Sequence, residues 1–404
     1  MFNFNKKEVI TDDQKIETLL SRGVEEVIER NSLKAKLKSG KRLRIKLGID
    51  PTSPNIHLGR AIPLLKLKDF QDLGHKIVLI IGDFTAVIGD TSDKDSERPM
   101  LTEEQVKKNM KTYVEQAGKV LDINKCEIYH NSDWLKKLSY KEICEQADSF
   151  SLSDFIAREN ISKRLEAGKR ISLRELIYPL MQGYDSVAIK ADVEIGGTDQ
   201  RFNLLAGREL QRHYKQEVQD IITNPLIEGH DGRKMSSSWG NTINLNDSVN
   251  DMYGKVMSIH DNLIIKYFHF TTRVDIDTIE KYKKDLDSGA NPKDIKMKLA
   301  YELVRLYFSE DEAKKAEEYF TNAFSKKEVP EDVQEIVVEH GSHIKDALVK
   351  SGIVSSNTDW RRLIESKAVS YAGTEEYITD SHIKAEKEVV LRVGKKRFVK
   401  LIVR

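Results

Sequence analysis

The stretch Leu43–Arg60, LRIKLGIDPTSPNIHLGR, decides how the rest of the chain is read. Apolar residues alternate at Leu43, Ile45 and Leu47 and end at Gly48. A polar Asp-Pro-Thr-Ser-Pro loop follows, and His57-Leu58-Gly59 opens a helical pattern. A strand, a turn and a helix start leave backbone N–H groups and the helix dipole pointing where a phosphate is favoured. The stretch therefore predicts a nucleotide-handling loop at a strand end.

Working outward, Ile62 to Leu73 continues as an amphipathic helix and stops at Gly74, the usual C-terminal signal. Ile77–Ile81 is wholly apolar, as a buried strand of a parallel sheet should be, which completes one βαβ unit. Upstream, Ile16, Leu19, Leu20, Val24, Val27 and Ile28 are spaced for one helix over 11–30. Downstream, the loop Gly82–Asp95 is rich in Gly, Thr and Asp. Ligands of open parallel sheets bind beyond the carboxyl ends of the strands, so this loop and the first are expected to face one crevice. Residues 102–122 predict a long helix, Cys126–Tyr129 a short strand, and 134–166 a charged helical insertion.

Ser172–Val187 predicts a further helix, with Tyr178, Gln182 and Asp185 at offsets of four and three on one face. Such a face meets either solvent or a ligand. Asp192–Ile195 reads as a strand running into Gly196-Gly197-Thr198-Asp199-Gln200 and a helix through Gln211. Paired glycines allow close backbone approach, and an Asp can accept from a sugar's hydroxyl pair. After a last strand over 219–227 comes Arg233-Lys234-Met235-Ser236-Ser237-Ser238, which suits a phosphate clamp and equally a surface loop.

Residues 247–326 carry helix signals only. From His343 onward two helices and alternating strands are expected, ending in RVGKKRFVKLIVR, with basic residues at 392, 395, 396, 397, 400 and 404. That run is either an edge strand guarded by lysines or, with Arg361 and Arg362, an RNA-phosphate footprint, the favoured reading. A formal net charge of +1 over 404 residues supplies no global attraction to polyanions, so any such binding is local. Two cysteines, Cys126 and Cys144, make no disulfide framework. No apolar run is long enough for a leader or a span, so a soluble cytoplasmic protein without membrane partners is expected.

In this order and at these separations, the two loops, the Tyr-Gln-Asp helix, the Gly-Gly-Thr-Asp-Gln turn and the Lys-Met-Ser loop resemble the bacterial tyrosyl-tRNA synthetases, of class I. The resemblance runs from about residue 10 to the C-terminus. It implies an α/β fold: a Rossmann-like parallel-sheet catalytic domain (1–240, with a helical insertion at about 120–190), an α-helical anticodon-binding domain (241–327), a linker (328–341) and a small α+β RNA-binding domain (342–404). His57-Leu58-Gly59-Arg60 matches the family's His-x-Gly-His signature, and Lys234 to Ser238 its Lys-Met-Ser-Lys-Ser signature. The implied reaction is activation of L-tyrosine by ATP, with Mg²⁺ on the phosphates and no dedicated protein metal site, then transfer to tRNA(Tyr) by a homodimer.

The resemblance assigns catalysis to Thr52, His57 and Lys234. It gives ATP to Gly48, Asp50, His57, Gly59, Arg60, Gly197, Asp199 and Lys234 through Ser238 (Met235, Ser236 and Ser237 between them). Tyrosine falls to Thr85, Asp90, Tyr178, Gln182, Asp185 and Gln200, and tRNA to Arg361, Arg362, Lys395, Lys396 and Arg397. Three positions depart from the family pattern. Arg60 replaces a second histidine; Ser237 replaces a second lysine, for which Arg233 offers a substitute cation; and Lys46 stands where many relatives place a tyrosine near the substrate hydroxyl. The competing readings are an RNA-binding relative without catalysis, a tryptophan enzyme and a small-molecule nucleotidylyltransferase. The Tyr-x-x-x-Gln-x-x-Asp pattern and the basic C-terminus weigh against all three.

Overall fold

The structure, a computed structural model, describes residues 9–92, 100–324, 333–372, 376–394 and 397–404. Lys395 and Lys396, the 93–95 end of the second loop and the 328–332 part of the expected linker lie outside the described residues. The chain separates into two compact units, Met1–Glu310 and Asp311–Arg404.

The first unit begins with α1 (Asp13–Ser21), β1 (Glu26–Ile28) and α2 (Arg30–Lys38). The single helix expected over 11–30 is thus a helix and a strand. The chain turns at Gly23, with φ 64°, and Glu26–Ile28 pairs antiparallel with Ile221–Thr223. Apolar spacing over so few residues fits either period, and the sheet edge decides it. β2 (Arg44–Ile49) leads into α3 (Leu58–Asp72), β3 (Lys76–Ile81) and α4 (Thr85–Ile88). The expected long helix over 102–122 is two, α5 (Glu103–Met110) and α6 (Tyr113–Gly118), followed by β4 (Glu127–His130).

The insertion holds α7 (Ser132–Leu135), α8 (Tyr140–Ala147), α9 (Leu152–Ile156) and α10 (Glu159–Glu166). Next comes α11 (Leu173–Ile189), whose start is fixed by a capping box between Ser172 and Glu175. Glu175 is itself held by a buried ion pair to Arg164 at 2.5 Å. β5 (Val193–Gly197), α12 (Arg201–His213) and β6 (Asp220–Asn224) complete the sheet.

The strand order is β1-β6-β5-β2-β3-β4, parallel throughout except for β1 at the edge. From β2 the chain builds outward through β3 to β4, then returns to build β5 and β6 on the other side of β2. The reversal falls between β2 and β5, and a crevice opens at the carboxyl ends there. Ile45, Val78, Ile80, Val193, Ile221 and Ile222 are fully buried, which explains the continuous apolar runs of these strands.

Four helices follow: α13 (Val249–Met257), α14 (Ile264–Thr271), α15 (Ile276–Asp287) and α16 (Pro292–Tyr307). They belong to the same compact unit as the sheet. α14 packs on α3. Arg273 pairs with Asp69 at 3.1 Å, and Arg22 donates to the carbonyls of Thr272 and Val274 at 2.9 and 2.8 Å. α17 (Glu310–Phe324) then leads toward the C-terminal region.

The second unit contains β7 (Gln334–Val338), α18 (Ile344–Lys350), α19 (Asn357–Glu365), β8 (Val369–Tyr371), β9 (Val389–Val393) and β10 (Arg397–Val403). The sheet runs β7-β10-β9-β8, with β7 and β10 parallel. Leu348, Val354, Trp360, Leu391, Val399 and Leu401 form its buried core. β10 lies between two neighbours, so the edge-strand explanation of the basic run does not hold.

Candidate active site

A cleft of about 540 Å³ opens at the strand ends where the sheet order reverses. Gly48, Asp50, Thr52, His57, Gly59 and Arg60 enter it from the β2–α3 connection. Thr85 and Asp90 come from the segment after β3, and Tyr178, Gln182 and Asp185 from α11. Gly197, Asp199 and Gln200 come from the end of β5, and Lys234, Met235, Ser236, Ser237 and Ser238 from the loop after β6. Every residue expected to meet ATP or tyrosine therefore lines one cavity.

His57 caps α3 and is 7% exposed. Burial, reinforced by the nearby charges of Arg60 and Lys234, pushes its pKa down to about 3, so the imidazole is neutral at working pH. Its Nδ1 is buried and has no partner among the described residues. The Arg60 guanidinium donates to Thr52 Oγ1 at 2.9 Å and to the Tyr113 hydroxyl at 3.0 Å, which in turn donates to the Ser53 carbonyl at 2.6 Å. Arg60 thus braces the loop ahead of its own helix. Across the cleft, Lys234 Nζ pairs with Asp199 Oδ2 at 3.0 Å, and the Ser53 and Ser237 hydroxyls meet at 3.3 Å.

At the other end, Asp185 is 3% exposed and accepts from Trp134 Nε1 at 2.8 Å and Asn131 Nδ2 at 3.3 Å. Burial raises its pKa from 3.8 to about 7, opposed by the Lys46 charge and by these two donors. Tyr178 donates to Asp50 Oδ2 at 2.8 Å, and Thr85 to Asp50 Oδ1 at 2.7 Å. A Cβ at Gly82 would collide with Asp50 and Thr85, so only glycine fits beneath this junction. Gln200 Nε2 donates to Asp90 Oδ2 at 2.7 Å. The cavity is thus lined by a hydroxyl and a neutral imidazole facing an ammonium at one end, and by carboxylates and amides at the other.

A family model described as tRNA synthetases class I (W and Y) matches residues 38–325. A tyrosine–tRNA ligase of Clostridium acetobutylicum is 48% identical, over 95% of this chain and 98% of that one. A tyrosine–tRNA ligase of Thermotoga maritima is 44% identical, over 95% and 96%. The chain belongs to the tyrosyl-tRNA synthetases. A solved mitochondrial tyrosyl-tRNA synthetase of Coccidioides posadasii, truncated at its C-terminus, shares the fold with TM-score 0.62 at 24% identity, over 76% of this chain and 92% of that one. An Archaeoglobus fulgidus tyrosyl-tRNA synthetase complexed with L-tyrosine gives 0.61 at 23%, over 75% and 99%.

Two expectations for this synthetase need correction. Arg233 does not line the cleft: its guanidinium is held by Asp231 at 2.6 Å and lies 5.2 Å from the Trp239 ring centre, so it is no substitute for the missing second lysine. Lys46 does not line it either; it is fully buried and its ammonium donates to the Gln182 carbonyl of α11. Other residues escaped the sequence reading. Asn109 Nδ2 donates to the Pro51 carbonyl at 2.9 Å. Gln116 accepts from Ile56 N–H at 2.7 Å and donates to the Pro54 carbonyl at 2.9 Å. With Tyr113, they latch the synthetase's first loop. Their offsets of four and three on an expected helix were a usable signal. Asn131 follows the carboxyl end of β4, where the strand-end rule points. Trp134 carried no such signal.

Arg361 and Arg362 are exposed on α19, with Arg362 paired to Asp359 at 2.6 Å. Arg397 begins β10 and donates to the Ile353 carbonyl.

Proposed function

We propose that this tyrosine–tRNA ligase forms tyrosyl-adenylate in the cleft, with the amino acid at the Asp185 end and ATP between His57 and Lys234. A carboxylate oxygen of tyrosine bonds to the α-phosphorus as the bond to pyrophosphate breaks. The tyrosyl group then passes to a terminal ribose hydroxyl of tRNA, releasing AMP. Little proton transfer falls to side chains; positioning and donors that meet phosphate charge lower the barrier. Thr52 and neutral His57 supply donors on one side and Lys234 a cation on the other. Asp199 takes the ribose hydroxyls. Asp90, Tyr178 and Gln182, with Gln200 behind Asp90, hold the ammonium of tyrosine.

The observation that carries this reading is Asp185, a buried carboxylate already oriented by Trp134 and Asn131. A phenolic hydroxyl donates to it, whereas phenylalanine would leave it desolvated and without its donor, at a cost of about 1–3 kcal/mol or more. Mg²⁺ would enter on the ATP phosphates, since Asp50 and Asp90 already accept from protein donors. Arg361, Arg362 and Arg397 would meet tRNA phosphates. Exposed Tyr140, Leu152 and Leu173 support a homodimer through the insertion, and the bacterial relatives support a cytoplasmic enzyme.

The test is tyrosine-dependent exchange of pyrophosphate into ATP. Exchange is expected with tyrosine and not with tryptophan, and Lys234→Ala should slow adenylation by roughly 10²–10³. Exchange with tryptophan alone would overturn the amino acid, and a Lys234→Ala loss under about threefold would overturn the clamp.

A further inference from the structure

Packed against α11, and absent from the lining of the cleft, sits a buried ion pair. Lys46 of β2 is 0% exposed and Glu194 of β5 1%, and they meet at 2.8 Å. The ammonium uses its remaining donors on α11, to the Gln182 carbonyl at 2.9 Å and the Ser186 hydroxyl at 2.8 Å. Glu194 also accepts from Gln182 Nε2 at 3.3 Å, Ser186 Oγ at 3.0 Å and Gln219 Nε2 at 2.6 Å. The glycine at 207 makes room: a Cβ there would lie 2.6 Å from Gln219 Nε2 and 3.2 Å from Glu194 Oε2.

A buried pair of this kind is a poor source of stability, because apolar residues of similar volume usually do as well or better. What it supplies is register. Gln182 is held three times: at its carbonyl by Lys46, at Nε2 by Glu194, and at Oε1 by Asn203 at 3.1 Å. Asp185 is the next polar residue along the same face. We infer that Lys46 is a positioning residue for amino-acid recognition, pinning α11 through its pair with Glu194 so that Gln182 and Asp185 are aimed at tyrosine. The inference rests on reading α11 as the tyrosine-binding helix.

Charge works in the same direction. The charged groups acting on the Asp185 carboxyl are Lys46 from β2 and Glu194 from β5, the lysine outweighing the glutamate; Trp134 and Asn131 are neutral donors. On the same helix Tyr178 stays protonated, kept so by burial and by Asp50 and Asp90. Lys46 therefore favours the ionised carboxylate that accepts the phenol.

The test is the double variant Lys46→Met/Glu194→Met, which removes both charges and orphans neither. It should fold, with a cooperative melt. It should bind tyrosine about tenfold more weakly, with ATP affinity unchanged within about twofold, and the acid limb of tyrosine binding should move to higher pH. A folded double variant with wild-type tyrosine affinity and limb overturns the inference. Should it fail to fold, Ser186→Ala, which removes one ammonium partner, is expected to weaken tyrosine by about threefold and ATP not at all; no change in tyrosine binding overturns it. Asp185→Asn separates the two readings. If Asp185→Asn also binds tyrosine normally, the tyrosine site itself is misplaced; if only the Lys46 variants do, the positioning role falls alone.

Discussion

Asp185 and His57 lie buried in the same cleft, and burial drives both toward their uncharged forms. For Asp185 the pKa rises from 3.8 to about 7, so the folded protein holds a proton that the unfolded chain has released between those values. Through this group the unliganded protein loses stability as pH rises toward about 7, with the full cost above it. In the proposed binding mode tyrosine, donating its phenol, binds the ionised form. Its affinity should be flat above about 7 and fall below it, approaching tenfold per pH unit, as equilibrium dialysis from pH 5.5 upward will measure. His57, lowered to about 3, adds no limb near its ordinary 6.5. A limb there that vanished in His57→Asn would contradict the neutral imidazole. Below pH 6.5 the unfolded state gains the proton that folded His57 refuses, so this group destabilises the fold on acidification.

At the scale of elements, the site is two loops held by neighbours outside the motifs. The Lys234 loop turns on Asn241, which is 1% exposed. Its Nδ2 donates to Asp231 at 2.8 Å and to the Lys234 carbonyl at 3.0 Å, while its Oδ1 accepts from Ser236 N–H at 2.9 Å. Asn241→Ala removes these three hydrogen bonds from the loop. Adenylation should slow about tenfold, with little change in tyrosine affinity, in pre-steady-state and dialysis measurements. The motifs were legible because they answer to local rules: a strand end, a helix start, polar groups at offsets of three and four. The latches were legible only in part. Asn109 and Gln116 share a helical offset but bond a loop 58 to 62 residues away, which no local rule names, and Asn241 serves its own loop without a local pattern. Lys46 shows the opposite failure. Its place on a buried strand was readable, but its partner Glu194 belongs to a strand paired with β2 only after the sheet order reverses. The helix expected over 11–30 failed for the same reason, since β1 exists through its pairing with β6.

For the whole molecule, the parallel sheet, the helical stretch and the C-terminal sheet followed from apolar period and turn residues. What the sequence reading divided at residue 240, packing joins: Arg22 and Arg273 tie the helices after β6 to α1 and α3 within one unit. A chain ended after residue 324 retains that unit and should keep pyrophosphate exchange within about twofold. Charging of tRNA should drop tenfold or more, with a shallower salt dependence, as phosphate contacts are lost. Equal loss of both activities would give the second unit a folding role instead.

The ion pair between Lys234 and Asp199 has one more consequence. Whatever binds between them must separate an ammonium from a carboxylate, and a bare nucleoside can satisfy only the carboxylate, through its ribose. In the proposed binding mode a triphosphate would rehouse both, the sugar on Asp199 and the anionic chain on Lys234. With ATP bound in that way, its fragments would be penalised by the Lys234–Asp199 pair, and selection for an intact cosubstrate would be built into the charge arrangement before any bond is made.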